Sequence, residues 1–208
     1  WCHERIHIEI MPQIQCNKIT KRYNQELLFR DFSYSFESPN SYAILGHNSV
    51  GKSTLLKIIG GVMDGTSGIV EYHPMIRPEN AISYTSPALD LLSDFTIQEL
   101  FDFHYQFKKP KIDIVDQLTF ASFQKHLDKT FQNLSSGLIN KVKLTLALFS
   151  DTPFLLLDEP CSNFDEENCQ WYLNMIDRFC KNQLIIVASN SPIEYSFCSN
   201  HINLQNFK

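Results

Sequence analysis

The 208-residue chain is 43% hydrophobic and 20% charged, the balance of a folded globular protein rather than of a disordered or fibrous one. Its net charge of −5 gives no sign of a bulk nucleic-acid-binding surface, local basic spots staying open, and no nucleic-acid partner is expected. The longest apolar runs, Phe154–Leu157 and Leu184–Ala188, are too short to span a bilayer.

The chain opens on Trp1, so it reads as a fragment or processed product, with Met11 as a candidate natural start and little weight on residues 1–10. The start lacks a basic region followed by an apolar core, so no signal peptide is read. Ile6–Ile10 and Phe32–Phe36 step with period two and predict half-exposed strands. Residues 37–41 (ESPNS) form a turn cluster, and YAIL (42–45) predicts a buried strand ending at Gly46. Residues 53–59 predict a helix stopped by Gly60 and Gly61. Ile69–Tyr72 and Ala81–Tyr84 are short strand candidates. From Ile97 to about Lys129 the pattern turns helical and aromatic, broken by Lys108-Lys-Pro-Lys111. The last third alternates apolar strands (154–157, 184–188) with helices (138–149, 166–180), which predicts a parallel sheet covered on both faces. The six cysteines form no Cys-x-x-Cys pair and are read as free thiols of a reducing cytosol; Cys198-x-x-His201 is read as structural.

Two stretches carry chemistry. Residues 46–54 (GHNSVGKST) satisfy the G-x-x-x-x-G-K-[ST] phosphate-loop pattern, between a predicted strand and a predicted helix. Gly46, His47, Asn48, Ser49, Val50, Gly51 and Thr54 would wrap backbone N–H groups around an oxyanion, at the positive end of the helix. Lys52 would neutralise the β- and γ-phosphates and Ser53 would hold Mg²⁺. The alternative is an ordinary glycine turn before a lysine. The second stretch, PFLLLDEP (153–160), is an apolar strand ending in two acids at the edge where a parallel sheet binds ligands. Asp158 would reach Mg²⁺ through water and Glu159 would polarise the attacking water. The alternative is a pair of solvated acids capping the next helix.

Kinases, GTPases and many ATPases share such a loop. Residues 133–148 (NLSSGLINKVKLTLAL), just before the DEP strand, resemble the Leu-Ser-Gly-Gly-Gln signature of the ATP-binding-cassette (ABC) ATPases. Leu134, Ser135 and Gly137 match, whereas Ser136 replaces a glycine and Leu138 the glutamine. By that resemblance the segment opens a helix that presses on the γ-phosphate held by the opposite subunit; a plain Ser-capped helix is the alternative. The likeness runs from about residue 13 to 204 and implies an α/β fold. That fold is a P-loop NTPase with a mostly parallel core sheet, an N-terminal antiparallel β subdomain and an inserted helical subdomain at about 95–140, in one domain over 1–208. It also places Tyr23 where an aromatic stacks on adenine, a strand aromatic packed in the sheet being the other reading. Asp165 falls at the D-loop acid that communicates across a dimer. Two positions depart from the family. Pro87, preceded by Ser86, stands where it has a glutamine that touches Mg²⁺ and the attacking water. Asn190 stands where it has a histidine on the γ-phosphate.

The resemblance implies an ATPase that uses ATP and Mg²⁺, with turnover slowed by those departures and Glu159 as the water-polarising group, Asn190 beside it. Its partners are a second ATPase subunit, in a homodimer or heterodimer, and a separate transmembrane subunit docked on 84–91 and 97–107, core packing being the other reading for at least half of the aromatics there. Its location is the cytoplasm, peripheral on the cytoplasmic face of the cell membrane. The competing readings are a nucleotide-sensing clamp with little catalysis and a non-transport ABC ATPase acting on DNA or ribosomes. A kinase or GTPase fits less well, because the signature-like helix start and the DEP strand fall in ABC order; the guanine-reading Asn-Lys-x-Asp motif is also absent.

Overall fold

A computed structural model describes residues 11–24, 26–74 and 77–208. The strand expected at Ile6–Ile10 lies outside the described residues, as does Cys2. In chain order the elements are β1 (Gln13–Tyr23), β2 (Glu26–Glu37), β3 (Ser41–Leu45), α1 (Lys52–Ile59), β4 (Ser67–His73), α2 (Pro78–Ala81) and β5 (Ile82–Thr85). They continue with α3 (Ile97–His104), α4 (Ile114–Phe120), α5 (Ser136–Phe149), β6 (Phe154–Asp158), α6 (Glu166–Phe179), β7 (Leu184–Ala188) and β8 (Asn200–Asn203). A five-stranded sheet runs β5-β6-β7-β3-β8, all parallel where paired, and a three-stranded antiparallel sheet runs β2-β1-β4.

Every residue of β6 and β7 is buried, because helices and the second sheet cover both faces. The period-two alternation sorts their side chains. Phe154 and Leu156 pack under α1 with Phe29, Phe32 and Phe36, whereas Leu155 and Leu157 pack with α5 and α6 against Leu148, Phe149 and Tyr172. At about 25 cal/mol per Å² of apolar surface buried, each fully buried Leu or Phe contributes roughly 2 kcal/mol, an upper value against a compact unfolded chain.

β1 was not among the predicted strands. Its buried residues fall at Ile14, Cys16 and Ile19, a step of two and then three. Bulges along its pairings and a left-handed Lys18 (φ 50) break the alternation that pattern reading relies on. β8 also escaped notice, being short, polar and apolar only at Ile202. The stretch 97–129 corrects an expectation: two short helices, α3 and α4, are followed by turns over 121–130. Thr96 caps α3 in a capping box with Glu99, and Asp113 caps α4 through the Val115 amide. After α4, a left-handed Ser122 (φ 60) and a polar run leave no apolar stripe to bury. Phe101, Phe123 and Phe131 form a third cluster with Val142 and Leu146 of α5. No helix among the described residues is long and apolar enough to cross a membrane. Cys16, Cys161, Cys169, Cys180 and Cys198 are buried free thiols.

Candidate functional site

The phosphate-loop residues join the C-terminal end of β3 to the N-terminus of α1. Gly51 precedes the helix at φ 108, where an added Cβ would also meet the Phe29 ring at 3.1 Å. Ser49 sits in the left-handed region too (φ 65), a conformation that glycine adopts more readily. Val50 is buried, and His47, Asn48 and Ser49 are exposed. Lys52 is only 6% exposed; its ammonium donates to the Gly46 carbonyl at 2.8 Å and the His47 carbonyl at 3.3 Å. Burial lowers its pKa, and the nearby Glu159 and Asp158 push back.

The neighbouring strand supplies the acids. Asp158, 4% exposed at the end of β6, accepts from the Ser53 hydroxyl at 2.8 Å. Burial raises its pKa, the Ser53 hydroxyl opposes the rise, and Glu159 adds to it. Glu159 is exposed at φ 43, with its amide donating to the Ala188 carbonyl at 2.9 Å. Neither acid caps the next helix, since Asp165 does so through the Asn168 amide at 2.9 Å. A cavity of about 190 Å³ is lined by Leu28, Asn48, Ser49, Gly51, Lys52, Ser53, Thr54 and Glu159. Asn190, in the loop after β7, donates from Nδ2 to Asn48 Oδ1 and so reaches the rim of that cavity.

Tyr23 is not among the lining residues. It is 45% exposed, with the Lys21 ammonium 5.0 Å from its ring centroid and its hydroxyl on Met63 Sδ at 3.3 Å, so it is not packed into the sheet. Leu134, Ser135, Ser136, Gly137 and Asp165 line a separate and larger cavity of about 660 Å³, with Lys129 and Lys141 at its walls. Ser135 caps α5 by accepting from the Leu138 amide at 3.3 Å. A cap uses an oxygen lone pair, so the Ser135 proton stays free to donate. At Gly137 a Cβ would stand 2.8 Å from the Asn163 carbonyl oxygen, so only glycine allows the 160–165 loop to approach α5 this closely.

Three residues that tie these loops together, Asn140, Lys143 and Glu194, were not singled out from sequence, and Ser86 was named only as the neighbour of Pro87. Asn140 of α5 donates to the Pro160 and Ser162 carbonyls at 3.0 and 2.9 Å. Lys143 of α5 donates to the Pro87 carbonyl at 2.9 Å. Ser86, 2% exposed, stands one residue beyond the Thr85–Leu157 pair, beside Asp158. Glu194, 4% exposed, accepts from the Cys161 amide at 2.8 Å and from the Ser189 hydroxyl, bridging the loops that carry Glu159 and Asn190. Asn140 and Lys143 lie in the signature-like stretch, but nothing in the sequence says which carbonyls they meet.

Glu194 yields a stability prediction. Its pKa is raised, first by burial, against the Ser189 and Cys161 hydrogen bonds and with added repulsion from Glu159 and Asp158. Glu194→Leu leaves a buried N–H and a hydroxyl unpaired and should cost about 2–4 kcal/mol, whereas Glu194→Gln, which can keep both contacts, should cost about 1 kcal/mol or less. A raised carboxyl favours folding fully below its unfolded pKa of about 4, and that contribution fades as pH climbs through the folded value. Urea midpoints of the wild type should therefore fall relative to Glu194→Gln as pH rises from about 4 toward neutral. A gap that does not vary with pH would contradict the shift.

The donors around Asp158 suit a hard divalent cation. They are a carboxylate and hydroxyls, and among the described residues no cluster of three or more His, Cys, Asp or Glu offers a rival metal site. The Tyr84 hydroxyl is buried and has no hydrogen-bond partner. The fit to Mg²⁺ held jointly with a triphosphate is good.

Comparison with known proteins identifies the family and the fold. Residues 29–162, more than half of the chain, match the ABC transporter family. The cytochrome c biogenesis ATP-binding export protein CcmA of Wolbachia pipientis is 24% identical over 201 residues, covering 93% of this chain and 97% of that protein. The zinc import ATP-binding protein ZnuC of Yersinia pestis is 32% identical over 155 residues, covering 73% and 58%. In fold, a dimeric ATP-binding cassette in a post-hydrolysis state, bound to ADP and Pi, superposes with a TM-score of 0.80 at 17% identity, covering 92% of this chain and 94% of that one. The chain therefore belongs to the ABC transporter family and has the fold of its ATP-binding cassettes.

Proposed function

We propose that the chain is the ATP-hydrolysing subunit of an ABC transporter, working as a dimer beneath separate membrane-spanning subunits. The observation that carries this reading is the convergence of Lys52, Ser53, Asp158 and Glu159 on one end of the parallel sheet, with Asn190 at the rim. Lys52 would exchange its loop carbonyls for phosphate oxygens, and the α1 N-terminus would add partial positive charge. Ser53 and Asp158 would hold Mg²⁺, which when bound neutralises the β- and γ-phosphate charge. Glu159 would take up a proton from the attacking water, and Asn190 would hydrogen-bond a γ-phosphate oxygen. Tyr23 would meet the adenine ring with the face left free by Lys21.

The second cavity, around Ser135 and Gly137, supports the dimer: it carries donors and a helix N-terminus but lacks a phosphate loop, so it suits the nucleotide of a second subunit. Leu89, Leu92, Phe103 and Phe107 are exposed, Phe107 by 70%, whereas Phe101 is fully buried. The aromatic stretch is thus divided between core and surface, and its exposed half is the face we assign to the membrane subunit, placing the chain at the cytoplasmic membrane face. The relatives serve both export and import by name, and the direction here follows from the membrane partner. Residues 95–140 would form the helical subdomain within one cassette.

Sedimentation of a Glu159→Gln chain tests the arrangement. Mg-ATP should double its mass by trapping the closed dimer, and Ser135→Arg should abolish the doubling without weakening nucleotide binding. A mass that ATP leaves unchanged would overturn the two-subunit site.

A further inference from the structure

We infer that the hydroxyls of Tyr84 and Ser86 form the outer hydrogen-bonding shell of nucleotide-bound Mg²⁺ in this chain, the task for which Pro87 has no side-chain polar group. The inference rests on the ATP-binding reading above and assigns residues within that site.

The Tyr84 hydroxyl is buried and unpartnered. A buried polar group without a hydrogen bond is costly, and such atoms in native proteins commonly await water, an ion or a ligand. Tyr84 lies on β5, two residues before Ser86; burial and the Asp158 carboxylate raise its pKa, and the nearby Ser86 hydroxyl opposes the rise without reaching hydrogen-bonding geometry. Ser86 stands beside Asp158 at the end of the β5–β6 ladder. Its oxygen accepts from the Ala88 amide at 3.2 Å, which fixes the hydroxyl and leaves its proton directed elsewhere. Asp158 in turn holds the Ser53 hydroxyl at 2.8 Å, and Ser86 follows the last β5–β6 pair beside it, so Ser53, Asp158 and Ser86 gather at the ends of neighbouring strands, with Tyr84 two residues earlier in the chain. Magnesium keeps most of its hydration shell, and its waters are strong donors that need acceptors. The Tyr84 oxygen has free lone pairs to accept from such a water, and Ser86 orients the carboxylate that accepts from another. Pro87 contributes only a backbone carbonyl, and Lys143 already occupies it at 2.9 Å.

Calorimetric titration of ATP, with Mg²⁺ and again with EDTA, tests this in the wild type, Tyr84→Phe and Ser86→Ala, alongside thermal melts without nucleotide. Metal-free ATP affinity should be unchanged in both variants, and the strengthening by Mg²⁺ should shrink about tenfold in each, the scale of a hydrogen bond to a charged group. Tyr84→Phe should melt no lower than the wild type, because it deletes a hydroxyl that has no partner in the free protein. A Mg²⁺ enhancement equal to the wild type's in both variants would overturn the assignment, and a clear drop in the Tyr84→Phe melting temperature would show a protein partner instead. If wild-type binding does not respond to Mg²⁺, the shell fails and the nucleotide site stands. If the wild type binds no ATP under either condition, both fall.

Discussion

Glu159→Gln is expected to abolish turnover while keeping ATP bound. Steady-state phosphate release should drop by at least about a hundredfold, the usual worth of a positioned general base, while ATP affinity stays within about threefold. The amide is nearly isosteric, and the backbone anchor from the Glu159 amide to the Ala188 carbonyl does not involve the side chain. Glu159 also pushes the Asp158 pKa upward, so its neutralisation should hold Mg-ATP at least as well as the wild type does. Unchanged turnover would remove Glu159 from the chemistry. With Asn190 unable to carry a proton's charge, turnover depends more heavily on this one carboxylate.

Lys52→Ala is expected to act on binding instead. Lys52 is the buried cation of the phosphate-loop cavity, and its loss should weaken ATP affinity by about a hundredfold, as charge-assisted contacts to phosphate are strong in a partly dehydrated site. Folding stability should change by about 1 kcal/mol or less, because the loop bearing the Gly46 and His47 carbonyls opens to water. Lys52→Arg should rescue little: a planar fork cannot reproduce a compact ammonium seated on two carbonyls of its own loop. Nucleotide titration by fluorescence reads all three proteins, and near-wild-type affinity in Lys52→Ala would remove the phosphate assignment.

The elements legible in the sequence were those whose period was unbroken. β3, β6 and β7 are continuous apolar runs, and α1, α5 and α6 follow cap and stop residues in the chain itself: Gly60 after α1, Ser135 before α5, Asp165 before α6. β1 was hidden because bulges shift its buried residues out of alternation. The turns after α4 were read as helix because the aromatic pattern that starts at Ile97 was carried on to about Lys129; the structure instead sets Phe123 and Phe131 into one small core with Phe101.

By itself the sequence determined the loop pattern, the acid pair after an apolar strand and the order of these motifs, since each is a local matter of residue type and spacing. Only the tertiary structure decided what meets what. Asn190 reaches Asn48 across 142 residues, Ser53 reaches Asp158 across 105, Lys143 reaches Pro87 across 56, and Glu194 joins the loops behind Glu159 and Asn190. Such contacts follow from strand order in the sheet, which places the ends of β3, β5, β6 and β7 along one edge. A hydrogen bond has a reach of about 3 Å, so no spacing along the chain announces it until the sheet has brought its ends together.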